Sequence, residues 1–213
     1  MSKYKKIFDS NMERVDSLCA LYEKLKDERI PEKREQQRHT DVLRAATVFL
    51  HSAFEDYYRN ILYEWLPKKA DADVFKGYPL PNSKGKRAEK FSLDELLSYR
   101  EKKVDDLIKE SVDKVLQETS FNNYTDVASW ADKIELQLNE YKKQSVLNTA
   151  ITRRHKIVHE ADRQQLKTDE LSRLSPIQLS DLEKWKVAYK ELVNIIDAKI
   201  TQWEDENEQT DCR

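Results

Sequence analysis

The chain has 213 residues, of which 38% are hydrophobic and 37% are charged, and its formal net charge is −2. This near-neutral balance excludes a globally basic nucleic-acid-binding protein, although a local basic site remains compatible with it. Only two glycines and five prolines occur, which is typical of long helices with few turns. We therefore expect an all-α protein built from strongly amphipathic helices.

Two further features bear on where the protein acts. Cys19 and Cys212 are too few and too far apart in sequence for a disulfide framework or a metal knuckle. No apolar signal-peptide core follows the amino terminus, and the most apolar segment, 45–66, is interrupted by charged side chains. We therefore expect a cytoplasmic protein with no membrane association.

The first half of the chain predicts two helices. Apolar residues at helical spacing, including Ile7, indicate a helix over 4–28, and a wider apolar stripe indicates a long helix over 40–66 that Pro67 ends. The second stripe is wide enough to form the main wall of the core. Its members are Ala46, Phe49, Leu50, Ala53, Phe54, Tyr57, Tyr58, Ile61, Leu62 and Trp65.

Residues 67–91 are expected to form one irregular basic loop. This stretch contains both glycines and three prolines, shows no helical period, and carries more basic than acidic residues. Phe75 and Tyr78 lie among the basic residues, a combination that can bind single-stranded nucleic acid. An ordinary solvated loop is the more common explanation.

Four further helices are predicted. The capping box Ser92–Glu95 opens a helix that runs through Leu116, and a short helix with Val127, Trp130, Ile134 and Leu138 inward follows. A helix over 144–160 comes next, then a polar loop over 161–175. A second capping box, Ser180–Glu183, opens a final helix whose apolar seam packs within the bundle or against a second subunit. We expect a bundle of about six helices, a single domain over 1–204 and a disordered acidic tail over 205–213.

The predicted helix over 144–160 ends in the sequence Arg-Arg-His-Lys-Ile-Val-His-Glu, residues 153–160. With Leu147 as zero, Ile151 lies at about +40° and Arg154 at about −20° around the helix. An arginine thus lies on the face expected to be buried, where it needs a carboxylate, a phosphate or a wet interface. His155 and His159 lie along one edge of that face, at about +80° and +120°.

Several interpretations of this segment remain open. In the first interpretation, the basic residues interact favourably with the negative end of the helix dipole at the carboxyl end of the helix. In the second, Arg154 forms a structural ion pair with Glu55 of the long helix. A zinc site is a third interpretation, because His155 and His159 have the i,i+4 spacing of metal ligands. No glutamate follows His155 directly and no third ligand is evident, so we expect neither a metal nor any other cofactor.

The fourth interpretation is cleavage of a phosphodiester. Cleaving RNA without a metal requires a base for the ribose 2′-hydroxyl, an acid for the leaving oxygen and a cation for the developing charge. Histidine can transfer the protons near neutral pH, and arginine matches phosphate oxygens. Arg154 and His159 lie about 140° apart on one helix, so two copies brought together across a two-fold axis would form a shared cleft.

The segment Arg154 to His159 resembles the R-x4–6-H motif of the HEPN superfamily. Residues 50–62, Leu-His-Ser-Ala-Phe-Glu-Asp-Tyr-Tyr-Arg-Asn-Ile-Leu, resemble the second helix of its RiboL-PSP-HEPN-like branch. The resemblance spans about residues 40–200. It implies a HEPN-like helical bundle and a metal-independent endoribonuclease that acts as a homodimer and leaves 2′,3′-cyclic phosphate and 5′-hydroxyl ends.

The resemblance also implies residue roles. Arg154 would bind the scissile phosphate and His159 would act as general acid and base, while His155 takes a polar position that is often asparagine in the family. Arg153 and Lys156 match no fixed catalytic position and are expected at most to contact the RNA backbone. Glu55 as the orienting partner of Arg154 is a separate hypothesis from the helical wheel.

Family members often act in phage defence or as toxins, so an antitoxin or another defence-system protein is an expected partner besides RNA. The alternative function is a HEPN-like module without nuclease activity, used for dimerisation, regulation or sensing. The complete motif favours the enzyme, because inactive members are expected to lack the arginine or the histidine.

Overall fold

The computed structural model describes residues 1–26, 33–81, 97–163 and 174–211. Within these ranges there is no β-strand, and Arg163 and Leu174 form an isolated antiparallel bridge. The all-α prediction, with about six helices, is confirmed. In chain order the helices are α1 (Lys3–Lys26), α2 (Lys33–Lys69), a short 3-10 helix (Ala72–Phe75), α3 (Val104–Glu118), α4 (Tyr124–Asp132), α5 (Gln144–Glu160) and α6 (Leu179–Asp211).

The chain divides into two compact units. The first comprises Met1–Tyr57, Asn122–Tyr124 and Leu138–Arg213, and the second comprises Tyr58–Phe121 and Thr125–Gln137. All the residues singled out above as a candidate site, from Glu55 to His159, fall in the first unit. Across the described ranges, none of the helices combines the length and the apolar character needed to cross a membrane.

Helix α1 buries only part of the face that its apolar spacing predicts. Ile7 is 50% exposed, whereas Phe8, Met12, Val15 and Cys19 are buried. The ring of Phe8 lies 5.9 Å from the ring of Tyr57 in α2, in a tilted arrangement. An aromatic ring buries more apolar surface than an isoleucine, so the packing selects the face that contains Phe8.

Helix α2 is longer at both ends than predicted, and Pro67 lies inside it. Proline lacks the N–H donor and its ring crowds the carbonyl four residues earlier, yet the amide of Ala70 still donates to the carbonyl of Leu66 at 3.0 Å. The helix therefore continues past Pro67, and the predicted irregular region begins later than residue 67. Phe49 is 42% exposed, contrary to its place in the predicted stripe, and lies under the guanidinium of Arg14.

In the second unit, α3 begins at Val104, and the preceding residues 98–102 form turns and a bend. A continuous helix from Ser92 to Leu116 is therefore wrong, and Ser92–Glu95 itself and residues 82–91 of the predicted loop lie outside the described residues. Asp105 and Asp106 occupy the first turn of α3, where negative charge is favourable. Helix α4 ends at Asp132, before the predicted end, and Glu135 beyond it adopts a positive φ of 59°.

Helix α6 packs against α5 and α1 in the first unit. Its predicted seam is buried at Leu182, Trp185, Tyr189, Leu192, Ile196 and Ile200. Ser180 lies inside α6, and Glu183 pairs with Lys186 at 2.8 Å, so the predicted second capping box does not form. Helix α6 continues to Asp211, into the stretch where disorder was expected, because extending an existing helix adds one hydrogen bond per ordered residue.

Candidate functional site

Helix α5 has the predicted bounds, Gln144–Glu160, but its buried face ends before Arg154. Leu147, Ala150 and Ile151 are buried, whereas Val158 is 49% exposed. The side chain of Arg154 is 23% exposed. Arg154 therefore lies at the margin of the core, where the buried face gives way to solvent, and not in the middle of a buried stripe.

Arg154 is loosely paired with Glu55 of α2. Its Nη2 atom lies 3.7 Å from Oε2 of Glu55, whose side chain is 16% exposed. This distance is short enough for an ion pair but too long for a hydrogen bond. Nε of Arg154 is buried and has no hydrogen-bond partner among the described residues. A guanidinium carries five N–H donors, and the four on the outer nitrogens of Arg154 remain available to a ligand.

Two buried side chains lie behind Glu55. Nε2 of His51 is 3.4 Å from Oε1 of Glu55, and Nδ1 of His51 is 2.8 Å from the hydroxyl oxygen of Tyr189 in α6. Burial raises the pKa of Tyr189 well above its usual value, and the charge of Glu55 adds to this while Arg154 opposes it. Tyr189 therefore stays neutral. When the ring hydrogen of His51 is on Nε2, it faces the Glu55 carboxylate and the Tyr189 hydroxyl donates to Nδ1.

The sequence did not predict this chain of contacts from Glu55 through His51 to Tyr189. His51 interrupts the apolar segment of α2, and Tyr189 belongs to the apolar seam of α6. The i,i+4 spacing of His51 and Glu55 on one helix was the available signal. The partnership with Tyr189 depends on how α6 packs, and no local pattern predicts it.

His155 and His159 form an exposed pair at the carboxyl end of α5. Their ring centroids are 4.5 Å apart, with an angle of 43° between the ring planes. Both side chains are exposed, and neither imidazole has a hydrogen-bond partner in the described part of the chain. Within those same residues, no hydrogen bond or ion pair joins Arg154 to His159. The imidazoles are thus free to exchange protons with a ligand.

The two predicted RNA-backbone contacts have different surroundings. Lys156 is exposed and has no ion-pair partner among the described residues. Arg153, by contrast, donates through Nη2 to Oδ2 of Asp162 at 2.7 Å and to the carbonyls of Ser175 and Pro176 at 2.9 and 3.0 Å. The structure therefore brings Arg153 into an internal network.

Arg44 of α2 completes this network. Its Nε atom donates to the same Asp162 oxygen at 2.7 Å, and its Nη2 donates to the Ser175 carbonyl at 2.7 Å. Arg44 and Asp162 are only 7% and 1% exposed. The backbone N–H of Asp162 donates to the Lys156 carbonyl at 2.9 Å. Asp162 thereby anchors the end of α5 that carries the two histidines.

The backbone after α5 is unusual at two consecutive residues. Ala161 and Asp162 have positive φ angles of 49° and 55°, in the left-handed region that most residues avoid. Aspartate tolerates this conformation better than alanine does. The sequence predicted only a polar loop here, because neither residue signals a left-handed turn as glycine would.

A metal interpretation finds no further support in the geometry. In the described ranges, no three or more His, Cys, Asp or Glu side chains gather where they could bind a metal ion. His155 and His159 therefore stand as a pair of imidazoles without a third ligand in this part of the chain. A structural zinc site ordinarily requires four protein ligands, and a catalytic one requires three.

Comparison with known proteins identifies the family. Residues 13–202 match the family model described as RiboL-PSP-HEPN, a range that contains Glu55, both arginines and both histidines. No curated protein and no solved structure matches the chain significantly. The match covers most of the 213 residues and confirms the predicted family. The chain belongs to the RiboL-PSP-HEPN family, a branch of the HEPN superfamily.

Proposed function

We propose that the protein is a metal-independent endoribonuclease whose active site combines Arg154 and His159. The observation that carries the proposal is the presence of two side chains at the spacing of the family motif: an arginine with unused outer donors, and an exposed imidazole that has no hydrogen-bond partner among the described residues. His155, whose ring lies against that of His159, is the third member of the proposed site. Family membership supports a HEPN role in general, and ribonuclease activity is the specific form proposed here.

The proposed reaction is an internal attack by the ribose 2′-oxygen on the adjacent phosphorus. A base removes the 2′-hydroxyl proton, the new P–O2′ bond forms, the P–O5′ bond breaks, and an acid protonates the leaving 5′-oxygen. The products are a 2′,3′-cyclic phosphate and a 5′-hydroxyl. His159 exchanges these protons, with His155 orienting or assisting it. Arg154 stabilises the negative charge on the phosphorane oxygens.

A homodimer with the active site at its interface fits this chemistry. Arg154 and His159 are about 140° apart around α5, so one phosphate cannot readily contact both on a single helix. A second copy related by a two-fold axis would bring His159 of each subunit towards Arg154 of the other. The exposed Val158, between these residues, offers apolar surface for such an interface.

The proposed ribonuclease activity also indicates a biological role. A free ribonuclease would damage the RNA of its own cell, so we propose a role in phage defence or as a toxin. Its activity would then be controlled by an antitoxin or another defence-system protein. The family resemblance is what supports this setting.

A second candidate is a HEPN module without nuclease activity that serves in dimerisation, regulation or sensing. The contact between Arg154 and Glu55 favours it, because a half-buried ion pair can be a structural reason to keep the arginine. The two candidates differ in one respect. The enzyme needs Arg154 and His159 for turnover, whereas the module needs them at most for stability or association.

Cleavage of a generic single-stranded RNA in the presence of EDTA tests the proposal. We expect the wild-type protein to produce cyclic phosphate ends, and His159→Ala and Arg154→Ala each to lower kcat by about 10²–10⁴-fold. His39→Ala, in the amino-terminal part of α2, is the matched histidine control and should retain full activity. Dimer formation is measured on the same samples by light scattering.

Two results would overturn the catalytic assignment. Equal cleavage by the wild-type protein and both variants would identify a contaminating nuclease. No cleavage by any of them, with an intact dimer, would favour the second candidate.

A further inference from the structure

A pocket of about 640 Å³ lies between α5 and the start of α6, in the first unit. This volume falls within the range of about 300–1,000 Å³ that is usual for small-molecule sites. Its lining includes Asn148, Thr152, Lys156, Asp181, Lys184 and Trp185, and we call it the α5–α6 pocket. None of the roles assigned above involves this pocket as a whole.

Two lysines give the pocket a positive rim. Lys156 and Lys184 are both exposed, and neither has an ion-pair partner within the described ranges. Asp181 is the single acidic residue of the lining. An unpaired lysine is an effective point charge for a phosphate group. The rim therefore favours an anion that enters between α5 and α6.

The side chains inside the pocket suit a nucleoside. Oδ1 of Asn148 accepts the backbone N–H of Tyr124 at 2.7 Å, which fixes the amide and leaves its nitrogen without a partner among the described residues. The Thr152 hydroxyl is likewise unpartnered there. Trp185, 7% exposed, contributes aromatic surface. Aromatic surface together with fixed amide groups is a common means of binding an unpaired base.

The pocket lies on the same side of α5 as the proposed proton carrier. Relative to Leu147, Asn148 is at about 100°, Thr152 at about 140° and His159 at about 120°, whereas Arg154 is at about −20°. Lys156 precedes His159 by about one helical turn. A chain of nucleotides that passes His159 can thus continue along α5 into the pocket.

We propose that the α5–α6 pocket binds one nucleotide of single-stranded RNA beside the scissile phosphate. Lys156 and Lys184 hold its phosphate, and Asn148 and Trp185 contact its base. The position relative to the cut rests on the proposed nuclease function. The nucleotide-binding property of the pocket does not, so it can be tested separately.

The first test measures binding without cleavage. The wild-type protein is titrated with nucleoside 5′-monophosphates and with inorganic phosphate, and amide chemical shifts of α5 and α6 are followed. We expect nucleotides to shift the amides around Asn148 and Lys184, and to bind more tightly than phosphate. Lys184→Ala should weaken nucleotide binding roughly threefold to tenfold, and Lys184→Arg should restore most of it.

Two control variants separate the roles of charge and base contact. Lys199→Ala removes an exposed lysine from the same helix, outside the pocket lining, and should leave binding unchanged. Asn148→Asp keeps the oxygen that accepts the Tyr124 N–H, but it replaces the amide donor by a negatively charged oxygen that repels both anions. Because the added charge weakens binding of nucleotides and of inorganic phosphate alike, only the additional loss of affinity for nucleotides reports on the amide contact with the base.

The second test uses RNA cleavage kinetics. Lys184→Ala is expected to raise KM by a similar factor while kcat stays within about twofold, because the pocket binds substrate without contacting the reacting atoms. An unchanged KM with no nucleotide-induced shifts would overturn the pocket proposal and leave the nuclease proposal standing.

Two other results are equally decisive. Nucleotide binding lost in Lys184→Ala, in a protein that cleaves no RNA, would support the pocket and contradict the nuclease. Equal affinity for phosphate and nucleotides would overturn the nucleotide assignment.

Discussion

Two neighbouring arginines on α5 have contrasting surroundings. Nη2 of Arg153 makes three hydrogen bonds of 3.0 Å or less, to Asp162 and to the carbonyls of Ser175 and Pro176. Arg154 has a single ion pair at 3.7 Å, to Glu55. Both Nε atoms are buried and unpartnered within the described residues, so the difference lies in the outer nitrogens. The first arginine is used to hold the helix end, and the second retains donors for a ligand.

This contrast shows how one helix end can be both rigid and reactive. Asp162, shared by Arg44 and Arg153, fixes the chain just after the motif. The histidines and Arg154 need no contacts of their own for that purpose. A binding or catalytic group performs best when neighbouring residues fix its position and its own polar atoms remain unsatisfied.

The largest stability effect is expected from Asp162→Ala. This change removes the carboxylate that Arg44 and Arg153 share. Arg44 keeps Asp41 at 3.3 Å, but breaking such a buried pair still costs about 3 kcal/mol or more. Urea unfolding should show this loss in the free energy of unfolding. Asp132→Ala, at an exposed position, is the control and should change it by less than about 0.5 kcal/mol.

Asp162→Asn sharpens the same test. Asparagine also tolerates the left-handed conformation and keeps one acceptor oxygen. Asp162→Asn should therefore lower the free energy of unfolding by less than Asp162→Ala does. If both substitutions changed stability by less than about 0.5 kcal/mol, the anchoring role of Asp162 would be wrong.

An intermediate effect is expected from Glu55→Gln. The amide keeps the shape of the side chain but removes the charge that faces Arg154, so the guanidinium is less firmly positioned. We expect kcat for RNA cleavage to fall by roughly tenfold while the free energy of unfolding falls by at most about 1 kcal/mol. Glu13→Gln, on the exposed surface of α1, is the control.

The readouts for Glu55 separate a positioning role from a structural one. A fall in stability with unchanged kcat would assign Glu55 to folding alone. If neither quantity changed, the proposal that Glu55 orients Arg154 would be abandoned.

The smallest effect is expected from Ala161→Gly. Alanine at a φ of 49° carries a conformational cost that glycine lacks. Glycine should therefore stabilise the protein by about 0.5–1 kcal/mol, even though it also raises the conformational entropy of the unfolded chain. Ala198→Gly, in the exposed interior of α6, should destabilise it by about 1 kcal/mol. The same sign for both substitutions, measured by urea unfolding, would contradict the strain argument.

Local patterns predicted much of the fold and part of the site. The bounds of α5, the buried seam of α6 and the all-α class were predicted correctly, because amphipathic periodicity reports directly on which face is buried. Errors occurred where tertiary contacts decide between adjacent residues. Phe8 replaces Ile7 because of its contact with Tyr57, and α2 passes Pro67 because its remaining amides still find acceptors.

The sequence by itself determined the spacing of Arg154, His155 and His159 on one helix, and through the motif it determined the family. Helical geometry follows from local hydrogen bonds, so residue spacing is enough to place these side chains around the axis. Only the tertiary structure decided which of Arg153 and Arg154 is held by internal hydrogen bonds. The groups of that network, Asp162, Arg44 and Ser175, come from separate parts of the chain. The contacts from Glu55 through His51 to Tyr189 likewise depend on how α2 and α6 pack. Such long-range pairs form only when helices pack, and helical periodicity carries no record of them.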